Sequence, residues 1–241
     1  MNLGQRQGLR AVLVDKDGTL LDFDRSWTRI ARHAAAAAAG PEAARVPALL
    51  RACGLDPETG RFRPGSAMVA GTAADVADCW LPLLPPRDRA RLIDDIDAIF
   101  TAGAQQVVPV EGMAEAVAAL AAAGWRLGLA TMDNAAAAEA TLTHLGLRGH
   151  FSFVCGWDSG HGTKPGPGMA QAFCAAVGAL PAAAVMVGDS VHDLEMGRAA
   201  GLGLKVGVLT GPARAEHLRG HADLVLDSVA ALPGLLGAAA R

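Results

Sequence analysis

Carboxylates, a hydroxyl and an ammonium stand just beyond short apolar runs of this sequence. The run at 10–14 ends in Asp15-Lys16-Asp17-Gly18-Thr19, and the run at 125–130 is followed by Thr131. The run at 183–187 is followed by Gly188-Asp189-Ser190, with Asp193 shortly after. Lys164 follows the run at 151–155 through a glycine-rich loop. Each residue has an ordinary explanation by itself: Asp15 could cap a turn, and Thr131 could cap a helix starting at Asn134. Their recurrence at equivalent strand ends points instead to one site. Carboxylates gathered there repel one another and require a cation. All-oxygen ligands favour Mg²⁺, which binds one or two carboxylates together with a substrate phosphate. Lys164 offers a point charge and Thr131 a hydroxyl donor for phosphoryl oxygens. This is equipment for phosphoryl transfer, in which one carboxylate can act as nucleophile and its neighbour two residues on as general acid and base.

Such a site requires strands that end on one edge. The apolar runs read as buried strands at 10–14, 125–130, 151–155, 183–187, 204–209 and 224–226. Helical patterns separate them at 113–123, 135–145, 168–177 and 194–200, with a last helix from Val229. Alternating strands and helices predict a doubly wound parallel sheet, whose ligands bind at the carboxyl ends of the strands. Between the first strand and the rest lies a purely helical stretch. Ser26 is expected to cap a helix running through the alanine run to Gly40, and residues 41–54 form a second. Residues 55–71 read as a loop, and 72–84 and 87–102 as two further helices split by Pro85-Pro86. The expected organisation is an α/β core from residues 1–22 and 106–241, with an all-helical insertion at 23–105.

The chain has 241 residues, 51% of them hydrophobic, and a net charge of −3. That is enough apolar material for a sizeable core and no basic excess for nucleic acid or an anionic membrane. The longest alanine run, 34–39, falls far short of a membrane span, and the first ten residues lack an apolar signal region. Cys53, Cys79, Cys155 and Cys174 show no zinc or redox spacing, so reduced thiols and a cytoplasmic location are expected. Only Lys16, Lys164 and Lys205 are lysines in an arginine-biased chain. The histidines form no metal-ligand spacing, and Gly162-Thr163-Lys164 lacks the order of a phosphate-binding Walker loop.

The segments Asp15-Lys16-Asp17-Gly18-Thr19, Thr131, Lys164-Pro165-Gly166-Pro167 and Gly188-Asp189-Ser190 to Asp193 resemble, in order, the four motifs of the haloacid dehalogenase superfamily. The long first gap resembles the helical cap inserted after the first motif in phosphoglycolate-phosphatase-like members. The resemblance covers essentially the whole chain and implies a Rossmann-like catalytic core. It implies that Asp15 is the nucleophile and a Mg²⁺ ligand, and that Asp17 is the acid/base with its carbonyl on the metal. It further implies that Asp189 ligates Mg²⁺ and that Thr131 and Lys164 hold the phosphoryl group. Asp193 would support Lys164 or a metal-bound water, beside Ser190, and Gly18 would permit the turn of a flap. The implied activity is hydrolysis of a small phosphorylated metabolite through an aspartyl-phosphate. A phosphosugar mutase of the same superfamily and a receiver-like phosphate-accepting module are the alternatives.

Several residues depart from the common pattern. Lys16 stands where Leu, Met or Phe is usual; in an extended chain it would point away from Asp15 and Asp17. It serves either as a salt-bridge partner or as a contact at the substrate's edge. Met132-Asp133-Asn134 differs from the Thr-Asn-Lys often found in phosphoglycolate phosphatases. The insertion has no lysine, unlike a phosphonatase cap, and Asp17 distinguishes the chain from a haloacid dehalogenase proper. The segment 61–66 carries Arg61 and Arg63 and either reaches over the site or forms solvated surface. Trp27 and Trp80 are expected to be packing residues.

Overall fold

A computed structural model describes residues 8–103 and 105–237. Six strands form one sheet: β1 (Ala11–Val14), β2 (Arg126–Ala130), β3 (Phe151–Cys155), β4 (Ala184–Gly188), β5 (Leu204–Val208) and β6 (Leu224–Leu226). Their order is β3-β2-β1-β4-β5-β6, and every pairing is parallel. The sequences AVLV and AVMVG of β1 and β4 are buried at every position. Continuous apolar strands of this kind suit the middle of a sheet covered on both faces. Val12, Val14, Leu129, Val185 and Val187 pack on one face. Leu13, Met186, Phe173 and Met196 pack on the other. Fully burying a side chain of this size contributes about 1.5–3 kcal/mol.

The helices fill in as α1 (Phe23–Ala39), α2 (Val46–Cys53), α3 (Ala67–Ala70), α4 (Ala73–Trp80) and α5 (Arg89–Gly103), all between β1 and β2. Then come α6 (Met113–Ala122), α7 (Ala135–His144), α8 (Gly168–Val177), α9 (Val191–Ala199), α10 (Ala215–Leu218) and α11 (Leu232–Leu236). Helices α1 to α5 bury an apolar cluster of their own, which includes Trp27, Leu49, Trp80, Ile96 and Phe100. Trp80 is fully buried and donates its indole N–H to the Leu49 carbonyl at 2.8 Å. Among the described residues, no helix is long and apolar enough to cross a membrane.

Several boundaries differ from the sequence expectation. Asp22, not Ser26, caps α1, its carboxylate accepting from the Arg25 N–H at 3.0 Å. Ser26 lies inside the helix, where its hydroxyl accepts from the Val108 N–H at 2.9 Å and ties the insertion's start to its end. The second helix begins at Val46 after a 3₁₀ turn, because Pro47, rather than Pro41, fits a first-turn position. The expected loop at 55–71 contains α3, closed against a bridge between Leu55 and Phe62. The helix expected at 72–84 ends at Trp80 and continues as a 3₁₀ turn. Asn134, not Thr131, caps α7. Helix α9 starts at Val191 instead of Leu194, because Ser190 and Asp193 form a reciprocal capping box.

In β2, Gly128 leaves room for a neighbour. A Cβ there would lie 2.4 Å from the ring of Phe173, which is fully buried and has nowhere to go. Gly128→Ala is therefore expected to destabilise the fold by about 1–3 kcal/mol. The check is a lower denaturant midpoint with an unchanged slope.

Candidate active site

The parallel register aligns Val14 of β1 with Leu129 of β2 and Val187 of β4. The residues just beyond these strands therefore share one edge. There the Asp15 N–H donates to the Val187 carbonyl at 2.9 Å, and the Thr131 N–H to the Cys155 carbonyl at 3.0 Å. One cleft between this edge and the helical insertion is lined by Asp15, Asp17, Thr131, Lys164, Asp189 and Asp193 together.

At its floor the Lys164 ammonium lies 2.5 Å from a carboxylate oxygen of Asp15 and 2.5 Å from one of Asp193. Lys164 reaches them from the loop after β3, where its peptide bond to Pro165 is cis. Asp193 is fixed from behind: its second oxygen accepts from the Ser190 hydroxyl at 2.6 Å and the Ser190 N–H at 3.1 Å. Burial works against the Lys164 ammonium, but Asp15 and Asp193 outweigh it and hold it above the ordinary lysine range. Burial pushes the Asp15 carboxyl up to about 7 against the pull of Lys164, with Asp193 and Asp17 adding to the rise. Asp189 is also raised well above the usual carboxylate range, first by burial and then by Asp15 and Asp193. Oxygens of Asp15, Asp189 and Asp193 lie within 4.8 Å of one another. Two of these carboxylates share Lys164, while Asp189 makes no direct ion pair among the described residues. A divalent cation fits this donor set: hard, all-oxygen and short of positive charge.

A second network lies beside the first. Lys16 does not point away from Asp17. The chain turns immediately after β1, with the Leu20 N–H donating to the Lys16 carbonyl at 2.9 Å, so the extended-chain expectation fails. The Lys16 ammonium instead sits 2.8 Å from Asp133 and 3.0 Å from Asp17. It is nearly fully buried, which by itself would lower its basicity, but Asp133 and Asp17 together hold it above the ordinary range. Of the two readings of Lys16, the salt bridge is the one observed. The other oxygen of Asp17 accepts the indole N–H of Trp27 at 2.5 Å. Burial raises the Asp17 carboxyl, Lys16 opposes that rise and Asp133 adds to it. The Asp17 carboxylate is thus turned toward the insertion and lies outside the group formed by Asp15, Asp189 and Asp193.

The Thr131 hydroxyl accepts from the Asp133 N–H at 3.1 Å, so its own proton remains to be donated into the cleft. Gly18 adopts φ +83°, and a Cβ there would lie 2.5 Å from an Asp189 oxygen. Its carbonyl accepts from the Thr210 hydroxyl at 2.6 Å. A Cβ on the neighbouring Gly211 would meet the same carboxylate at 1.7 Å. Sequence reasoning overlooked Thr210 and Gly211, whose signal was their position just past the fifth strand. It also overlooked the polar role of Trp27, which packs edge-on to Phe100 at 4.9 Å as a packing residue should. Arg61 and Arg63 are exposed and do not line this cleft; residues 67–71, just after them, do.

A family model for haloacid dehalogenase-like hydrolases matches residues 9–201. The chain is 33% identical over 124 residues to a probable phosphatase, IndB, of Dickeya dadantii, a match covering 51% of this chain and 54% of that one. The chain thus spans about half the length of that relative. It is 27% identical over 198 residues to N-acetylmuramic acid 6-phosphate phosphatase of Pseudomonas aeruginosa, covering 82% of this chain and 80% of that one. Its fold matches the crystal structure of CbbY from Rhodobacter sphaeroides in complex with phosphate, with a TM-score of 0.70 and 24% identity over 94% of this chain and 99% of that one. The family match covers most of the chain, including the strand ends that carry Asp15, Thr131 and Asp189, and the chain belongs to the haloacid dehalogenase-like hydrolases.

Proposed function

We propose that this chain is a phosphatase that hydrolyses a small phosphomonoester through an aspartyl-phosphate on Asp15, with Mg²⁺ as its cation. The observation that carries this reading is the Asp15 carboxylate at the floor of the cleft. One of its oxygens is held by Lys164, and the Asp189 and Asp193 carboxylates lie close by. Residues 23–105 act as the cap of that cleft. The four cysteines are free thiols, which suits a reducing, cytoplasmic setting.

In this mechanism Asp15 attacks phosphorus with its free oxygen, and the bond from phosphorus to the ester oxygen breaks. Asp17, once released from the Trp27 indole that it accepts from in this structure, gives its proton to the departing alcohol. It then takes a proton from the water that attacks the phospho-aspartate, which frees Asp15 and inorganic phosphate. Lys164 and the Thr131 hydroxyl hold the phosphoryl oxygens through both steps. Asp15, Asp189 and the Asp17 carbonyl would hold Mg²⁺, which supplies charge neutralisation at the phosphoryl group. Asp193 keeps Lys164 in position and is itself fixed by Ser190.

Release of phosphate from p-nitrophenyl phosphate with Mg²⁺ is the direct test. Asp15→Asn should abolish it with the fold intact by circular dichroism. Asp17→Asn should slow it by about 10²–10⁴-fold. Rates near wild type in either variant would remove the mechanism, and a stable phospho-aspartate without turnover would indicate a receiver instead.

Lys164→Arg should also lose nearly all activity. The lysine is a compact point charge held by two carboxylates in a buried position, and a planar guanidinium demands a different geometry. Steady-state rates that match wild type would contradict this.

The raised carboxyl of Asp15 has a consequence for stability. Its native form binds a proton more readily than the unfolded chain, where its ordinary value is 3.8. With chelator present, its contribution to stability is complete below about pH 4 and is lost as pH rises through about 7. Mg²⁺ at neutral pH should restore melting temperature, and the increment should vanish in Asp15→Asn. A metal-free melting temperature that climbs from pH 4 to 7 would oppose this reading.

A further inference from the structure

The same cleft carries information about the alcohol that leaves. Its lining contains six carboxylates, those of Asp15, Asp17, Asp97, Asp133, Asp189 and Asp193, and one lysine, Lys164. Lys16 lies just behind and is shared between Asp17 and Asp133. Lys164 is shared between Asp15 and Asp193. Two acidic groups are left without a cationic side chain on them: Asp189, at the proposed metal site, and Asp97. No arginine of the described residues lines the cleft.

Asp97 lines the cleft from α5, in the insertion. It is half-buried, and its one side-chain hydrogen bond comes from the Asn134 amide at 3.3 Å. Trp27, Phe100, Trp157 and Met68 line the same cleft. An aromatic face attracts a cation and repels an anion. A divalent ion at Asp189 would be matched by the charge of the phosphate ester itself, so the remaining carboxylates keep the cleft negative.

Resting on the phosphatase reading above, we propose that the leaving group is a small alcohol bearing an amine, with its ammonium paired to Asp97 in the cleft that Trp27, Phe100 and Trp157 also line. A second anionic group on the substrate, whether carboxylate or phosphate, is excluded by the same charges. Phosphoglycolate phosphatases of Nitrosococcus oceani and Chromobacterium violaceum, to which parts of this chain are similar, are named for a substrate that carries a carboxylate, and the inference departs from theirs. The one other basic side chain of the lining is His192, whose ring Nδ1 is buried without a hydrogen-bond partner.

Three esters of matched length separate the cases: 2-aminoethyl phosphate, n-propyl phosphate and phosphoglycolate. The expected order of kcat/KM is amine, then neutral, then carboxylate, with at least about tenfold between first and last, less than a fully desolvated like-charge contact would give. Asp97→Asn should remove most of the preference for the amine over the neutral ester, mainly through KM. Phosphoglycolate hydrolysed as well as or better than the amine would overturn the inference. So would its loss in His192→Asn, which would put an anion against that imidazole, or an unchanged preference in Asp97→Asn. If none of the three esters nor p-nitrophenyl phosphate is hydrolysed, the phosphatase reading fails as well. Turnover in a different order removes the substrate class alone.

Discussion

The Lys164 ammonium between Asp15 and Asp193 is the interaction on which the rest of the site depends. It is buried and draws two carboxylates from distant parts of the chain to one point. Carboxylates at such a spacing repel, and their burial removes the water that would screen them. Without a central cation, strand ends carrying these residues would not close so tightly. Removing one partner of a buried pair commonly costs about 3–5 kcal/mol, because the other is left charged and unsatisfied. The Ser190 capping box serves the same end, since the hydrogen bonds that start α9 also aim Asp193 at Lys164.

The second buried lysine repeats the arrangement with a different result. Lys16 joins Asp17, in the turn after β1, to Asp133, in the turn after β2. The insertion takes part through Trp27, whose indole holds the remaining oxygen of Asp17. The position of the insertion is therefore tied to the residue proposed to move protons. A displacement of α1 would release one oxygen of Asp17, while Lys16, itself held by Asp133, would still hold the other. Lys16 also lies 5.7 Å from the Trp27 ring centroid, so this contact adds a cation–π component.

These two ammonium groups leave the cleft acidic. The sheet edge and the insertion contribute opposite characters to it. One is crowded with charge and fixed by short hydrogen bonds; the other is apolar, with Asp97 its one charged residue in the lining among the described residues. In the proposed reading, chemistry resides on the core and the insertion shapes selectivity.

Strand ends were legible because apolar runs stop abruptly at polar residues, and the parallel sheet follows from alternating strand and helix patterns. That logic identified Asp15, Thr131, Lys164 and Asp189, and the structure gathers them in one cleft. Helix starts were less legible, since Ser26 and Pro41 are plausible start signals by type and the apolar pattern of α9 begins only at Leu194. Asp22 and Ser190 take those roles through hydrogen bonds within their own first turns and Pro47 through a first-turn position, while the Ser26 hydroxyl is drawn to the Val108 backbone.

The sequence alone determined which groups stand at each strand end, because that depends only on local apolar patterning. Which of them meet was decided by the tertiary structure. Lys16 with Asp133 is a pairing across 117 positions of chain, and Trp27 with Asp17 and Gly211 with Asp189 join separate elements. Their geometry is set by the turn after β1 and the seating of α1, and no local spacing encodes a distance of that kind.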